Sequence, residues 1–170
     1  NSGVKIDDNV AIYSENIAEW IIFDLAIVSI GAVSIPIYAT STATQAKYIL
    51  DEAEIKVILV GSQVQYKNII SIYGESEFLE TIIVADKNVE LITDRSFYFK
   101  NWIKGQSTEL DIVYRKLSDV ATIIYTSGTT GEPKGVMLTH GNFLKGFESH
   151  LEFFKFKNPE NEHSLSFLPL

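Results

Sequence analysis

Five short apolar runs rich in β-branched residues recur along this chain, at residues 10–13, 33–38, 57–60, 81–85 and 120–125, with helix-patterned stretches between most of them. Such runs are too short for helices. They also lack the strict polar–apolar alternation of a strand with one wet face, so they are expected to be strands buried on both sides. Short buried strands alternating with helices specify a mainly parallel sheet flanked by helices. The expected fold class is therefore α/β.

The punctuation between the runs places the helices. Asn16 is expected to cap the first, with Glu19 completing a capping-box-like pair. Ile17, Trp20, Ile21, Leu25 and Val28 would form its apolar side, and Gly31 would end it. Thr44 is the expected cap of a second helix running to Ala53, and residues 63–73 read as a third. Between Asp86 and Arg115 the pattern weakens, and Phe97, Tyr98, Phe99 and Trp102 suggest a short amphipathic helix packed on an edge. The run at 120–125 leads into a polar loop, and residues 135–138 leave it as the expected second arm of a hairpin. Thr139 then caps a helix with Phe143, Leu144, Phe147, Leu151 and Phe154 on one side, and Lys145, Glu148, Glu152 and Lys155 on the other. A last strand is expected to start at residues 165–168.

Composition excludes several classes of function. Across 170 residues, 46 % are hydrophobic and 21 % charged, which fits a packed domain rather than a disordered chain. A formal charge of −8 opposes non-specific nucleic-acid binding, which needs a cationic footprint. The absence of cysteine removes disulfides, thiol nucleophiles and thiolate metal sites, and fits a cytoplasmic protein. The stretch from Trp20 to Tyr38 is long and apolar, but Asp24, Gly31 and Pro36 interrupt it. A helix, a turn and a buried strand account for it better than a membrane span. His140, His150 and His163 show no i, i+4 pairing for zinc, and His140 lacks a neighbouring carboxylate to make it a general base.

The polar loop carries the chemistry. Residues 125–135 read Tyr-Thr-Ser-Gly-Thr-Thr-Gly-Glu-Pro-Lys-Gly. Gly128, Gly131 and Gly135 let the backbone turn its N–H groups inward, and successive N–H groups so arranged make an anion-binding nest. Thr126, Ser127, Thr129 and Thr130 offer hydroxyl donors, and Lys134 offers a point charge suited to a polyphosphate. Pro133 limits the freedom the glycines introduce, while Glu132, which would repel phosphate, is expected to face solvent. The spacing is not that of a P-loop kinase or GTPase, because Lys134 is followed by Gly135 rather than Ser or Thr. Nor does it match the dinucleotide G-x-G-x-x-G pattern.

This loop, with Val136-Met137-Leu138-Thr139-His140-Gly141-Asn142 after it, resembles the signature of the adenylate-forming (AMP-binding) superfamily of acyl-CoA synthetases, luciferases and adenylation domains. Residues 119–125, 8–16 and 31–38 are similar to the superfamily's leading strand and N-terminal stretches. Weaker similarity at residues 36–41 and 167–170 points to the long-chain fatty acid–CoA ligases.

The resemblance implies activation of a carboxylic acid by ATP to an acyl-adenylate, followed by transfer to coenzyme A. Thr126, Ser127, Gly128, Thr129, Thr130, Gly131 and Lys134 would hold the ATP phosphates. Thr126 is the expected Mg2+ contact, since hydroxyl oxygen suits that hard cation. No catalytic residue is assigned within the chain. The resemblance further implies that residues 1–170 are an incomplete N-terminal AMP-binding domain. The adenine, acyl and coenzyme A sites and a mobile C-terminal domain would then lie elsewhere. Alone, the chain is expected to be inactive, to bind ATP weakly and to self-associate through apolar faces. A fatty-acid ligase in the cytoplasm is compatible with peripheral membrane contact, although no basic amphipathic helix here supplies it. Two alternatives stand beside this reading: a ligase for a short-chain, aryl or amino acid, and a non-catalytic nucleotide-binding module using the same loop.

Overall fold

The computed structural model describes residues 3–127 and 133–154. Among them, seven strands form one sheet. In chain order the elements are β1 (Asn9–Tyr13), α1 (Ala18–Ser29), β2 (Val33–Ile37), α2 (Ala43–Glu52), β3 (Val57–Val60) and α3 (Gln63–Ile72). There follow β4 (Thr81–Val84), β5 (Ser96–Tyr98), α4 (Phe99–Ile103), β6 (Val120–Ser127), β7 (Pro133–Thr139) and α5 (His140–Phe154). The strand order is β5-β4-β3-β1-β2-β6-β7, parallel throughout except for the antiparallel β6–β7 hairpin. The expected α/β class, with a mainly parallel sheet between helices, is the observed one.

The chain winds both ways from β1, so helices cover both faces. On one face α2 and α3 bury Ala46, Ile49, Leu50, Tyr66 and Ile69 against Ala11, Tyr13, Ile35, Ile58 and Ile82. On the other, Ile27 of α1 and Phe99 of α4 meet Val10, Ile12, Leu59 and Ile83. Strand β3, apolar at all four positions and fully buried, contributes to both cores, as a central parallel strand must.

Several local expectations are corrected. Asn16 does not cap α1; Ile17 holds the cap position in extended backbone, with no side-chain bond to the helix. Ile21 and Leu25, expected inside, are exposed, while Trp20, Phe23, Ile27 and Ile30 face the core. A helix apolar on nearly every side gives no stripe to read, so the packing and not the pattern decides its rotation. Helix α2 is capped by Thr42 and not Thr44: Thr42 Oγ1 accepts from the Gln45 N–H, and Gln45 Oε1 accepts from the Thr42 N–H. Only Thr42 has a glutamine three residues on, which the reciprocal box requires. The 97–102 stretch splits, since Phe97 pairs with Ile83 in edge strand β5 before the short α4 begins. Phe97 still stacks on Trp102, with ring centroids 4.9 Å apart.

A stretch without regular structure from 104 to 119 straps the amino-terminal edge of the sheet. The Val113 N–H donates to Ser29 O at 2.9 Å, and the Arg115 guanidinium pairs with Asp7 and, at 3.1 Å, with Asp119. Gly31, at φ +77°, turns the chain from α1 into β2 directly beneath this strap.

Candidate functional site

The β6–β7 hairpin positions the polar loop. β-Branched Thr122, Ile123 and Ile124 favour extended backbone, and the two arms pair from Val120↔Thr139 to Ser127↔Pro133, with an irregularity between Val120 and Thr122. The base is closed by α5: its first amides, of His140 and Gly141, donate to Asp119 O and Leu117 O at 3.0 and 2.8 Å. Thr139 caps α5 as expected. Its hydroxyl accepts from the Asn142 N–H at 3.2 Å, and Asn142 Oδ1 accepts from the Thr139 N–H at 2.8 Å.

Near the tip, Thr126 and Lys134 are direct cross-strand partners, and both are exposed. Opposed residues of an antiparallel pair project to the same face. The hairpin therefore presents one hydroxyl and one ammonium together at the mouth of the loop. Ser127 ends β6 opposite Pro133, the first residue of β7. Gly128, Thr129, Thr130 and Gly131, together with Glu132, lie outside the described residues, as do His163 and the expected strand at 165–168. Among the described residues, no group of three His, Asp or Glu side chains could hold a metal ion. Thr126, the expected magnesium contact, is exposed at the mouth of the loop.

Below the tip, Tyr125 faces the opposite side of the sheet. It is 4 % exposed, packed in the core with α2, and its hydroxyl donates to Glu52 at the end of that helix. Gly135, directly across from it, has no room for a side chain: a Cβ there would lie 2.8 Å from Ile123 Cγ2 and 3.3 Å from Tyr125 Cζ.

On the face shared by Thr126 and Lys134, a cleft of about 680 Å3 runs between α1, the ends of β1 and β2, and β6, with Trp20, Asp24, Val28, Thr122, Ile124 and Phe143 among its walls. Thr122 Oγ1 donates to Ser34 O at 2.7 Å. The Ser34 hydroxyl is buried near Asp24 without a hydrogen bond of normal geometry. Burial therefore prevails, and it pushes the Asp24 carboxyl above its ordinary range against the opposing pull of Ser34.

Sheets that wind both ways from a central strand usually take ligands at the crevice where the winding reverses. Here that place lies between the ends of β1 and β3, where the two strands stay close beyond their last paired residues. Gly61 approaches so closely that a Cβ would sit 2.1 Å from Ser14 Oγ, and its N–H donates to Tyr13 O at 3.0 Å. The cleft and the hairpin lie on the other side of β1. The cleft, Asp24 and the Glu52–Tyr125 bond carry no signal in the sequence, since each joins segments far apart along the chain. No described helix is long and apolar enough to cross a membrane.

The chain is 31 % identical over 168 residues to the long-chain-fatty-acid–CoA ligase FadD15 of Mycobacterium bovis, covering 99 % of this chain and 28 % of the relative. It is 34 % identical over 174 residues to the human long-chain-fatty-acid–CoA ligase ACSBG2, covering 99 % of this chain and 26 % of that protein. It thus spans about a quarter of the length of these curated relatives. Among solved structures, the anthranilate CoA ligase AuaEII in complex with anthranoyl-AMP superposes with a TM-score of 0.75 at 31 % identity, over 81 % of this chain and 26 % of that one. The model of the AMP-binding enzyme family matches residues 1–170, and the chain belongs to that family.

Proposed function

We propose that this chain is the N-terminal part of a longer acid–CoA ligase that activates long-chain fatty acids with ATP, and that its β6–β7 hairpin grips the outgoing pyrophosphate. The observation that carries the reading is the pairing of Thr126 with Lys134 at the mouth of the glycine-rich loop, in a chain of this family. In-line attack of a carboxylate on the α-phosphorus needs the β- and γ-phosphates neutralised and held still, and transfers of this kind depend mainly on such positioning. The Lys134 ammonium supplies charge. The hydroxyls of Thr126, Ser127, Thr129 and Thr130, with the backbone N–H groups around Gly128 and Gly131, supply directional bonds. Magnesium would add a counter-charge for the phosphates when bound, and Thr126 would be its protein contact.

The long-chain preference is favoured by the curated relatives, which are long-chain-fatty-acid–CoA ligases. A different acid is the second reading, because a ligase named for anthranilate shares the fold at comparable identity. Coenzyme A is the proposed acceptor in either case. Because the chain covers about a quarter of its relatives, residues 1–170 alone are expected to release no pyrophosphate from ATP and palmitate.

In the longer enzyme, Lys134→Ala should slow ATP–pyrophosphate exchange about 10²-fold, the order found when one charge-stabilising donor is removed. Its thermal midpoint should hardly move, because Lys134 is exposed. Unchanged exchange would take the hairpin out of the mechanism.

A further inference from the structure

We propose that Glu52 is a positioning residue for nucleotide binding: through the Tyr125 hydroxyl it fixes the tilt of the β6–β7 hairpin, and with it the phosphate loop. The proposal rests on the reading of that loop as the ATP-phosphate site.

The backbone ladder that joins the hairpin to the rest of the sheet lies near its base. The register between β2 and β6 comprises one residue pair, Ser34↔Thr122, near the base. Beyond it β6 continues for five residues to Ser127, paired on its other side only with β7. Beyond that pair the angle of the hairpin to the sheet is set by side-chain contacts rather than by a ladder.

Tyr125 is one such tie. Its ring is inserted between the sheet and α2, in the same core as Ile49 and Leu50 of that helix. Gly135 leaves space for the ring on the opposite arm, so one buried side chain engages both strands of the hairpin. The hydroxyl reaches the Glu52 carboxylate 73 residues earlier in the chain. A hydrogen bond to a charged acceptor is stronger and more directional than ring packing alone.

The other end of the tie is firm. Glu52 closes α2, and the next residue, Ala53, is pinned twice: its N–H donates to Ile49 O at 3.0 Å, and its carbonyl accepts from Asn9 Nδ2 at 2.8 Å. Asn9 opens β1, at the centre of the sheet. The path from the middle of the fold to the loop is therefore Asn9, the end of α2, Glu52, Tyr125, and then Thr126 and Lys134. A displacement at Tyr125 passes directly to Thr126, its neighbour in the chain, and through the pairing to Lys134.

The test uses the full-length enzyme with palmitate, measuring ATP–pyrophosphate exchange together with thermal midpoints. Glu52→Ala and Tyr125→Phe should each raise the KM for ATP about tenfold, the order expected when one charge-assisted hydrogen bond is lost, and leave the KM for palmitate unchanged. The double variant should be no worse than either single one, because both remove the same contact. Glu52→Gln keeps an acceptor oxygen and should restore most of the ATP affinity.

A merely structural role predicts a different result: lowered midpoints with the KM for ATP unmoved, or additive effects in the double variant. Either result overturns the proposal. Lys134→Ala separates the two readings. If it impairs exchange while Glu52→Ala is silent, the loop reading stands and the tie falls. If Lys134→Ala is itself silent, both fall.

Discussion

Gly31 sits at φ +77° under Val113, where an added Cβ would approach Val113 Cγ1 to 2.9 Å and Arg115 Cδ to 3.3 Å. An L-residue there takes both a left-handed backbone penalty and an overpacked contact. Gly31→Ala should therefore lower stability by about 2–4 kcal/mol in denaturant unfolding. Asp24 makes a second prediction, about pH. Its carboxyl is pushed up by burial, so the folded chain binds its proton more tightly than the unfolded chain. Stability should then fall as pH rises from the ordinary value of 3.8 through the raised one. Asp24→Asn, which mimics the neutral form, should melt above the unchanged chain at neutral pH, with the gap closing as the pH drops below 3.8. A constant gap at every pH would show that the carboxyl titrates normally. Glycine at the first position is visible in the sequence as a helix stop. The environment of Asp24 is not, because its burial depends on Ser34 and Thr122 arriving from other strands.

At the level of elements, the strands were the most legible part of this chain. β3 runs from Val57 to Val60, where the apolar run itself begins and ends, since a strand buried on both sides favours apolar residues at every position. Helix starts were harder. Residues 40–44 read Thr-Ser-Thr-Ala-Thr, and hydroxyl content alone cannot choose among them; the glutamine at 45 can. Thr42→Ala should cost about 1 kcal/mol, and Thr44→Ala much less, as chemical denaturation of the two variants would reveal. The hairpin arms were legible from the resemblance and the turn composition. What fastens the hairpin to α2 was not, because a tyrosine and a glutamate 73 residues apart announce nothing until the fold brings them together.

At the scale of the whole molecule, large apolar side chains stay exposed on several elements. Leu25 of α1, Met137 of β7, and Phe147 and Leu151 of α5 are each more than 60 % exposed. Exposed apolar side chains of this size invite association, so residues 1–170 in isolation should form concentration-dependent oligomers. Light scattering that stays monomeric over a wide concentration range would refute this. The amphipathic side of α5 was readable from its spacing, but not that it would stay bare in this chain. The contact between Gly61 and Ser14 has the broadest consequence. There the protein's own backbone knits the ends of β1 and β3 together, so any side chain larger than hydrogen at position 61 would have to prise the two strands apart at the middle of the sheet.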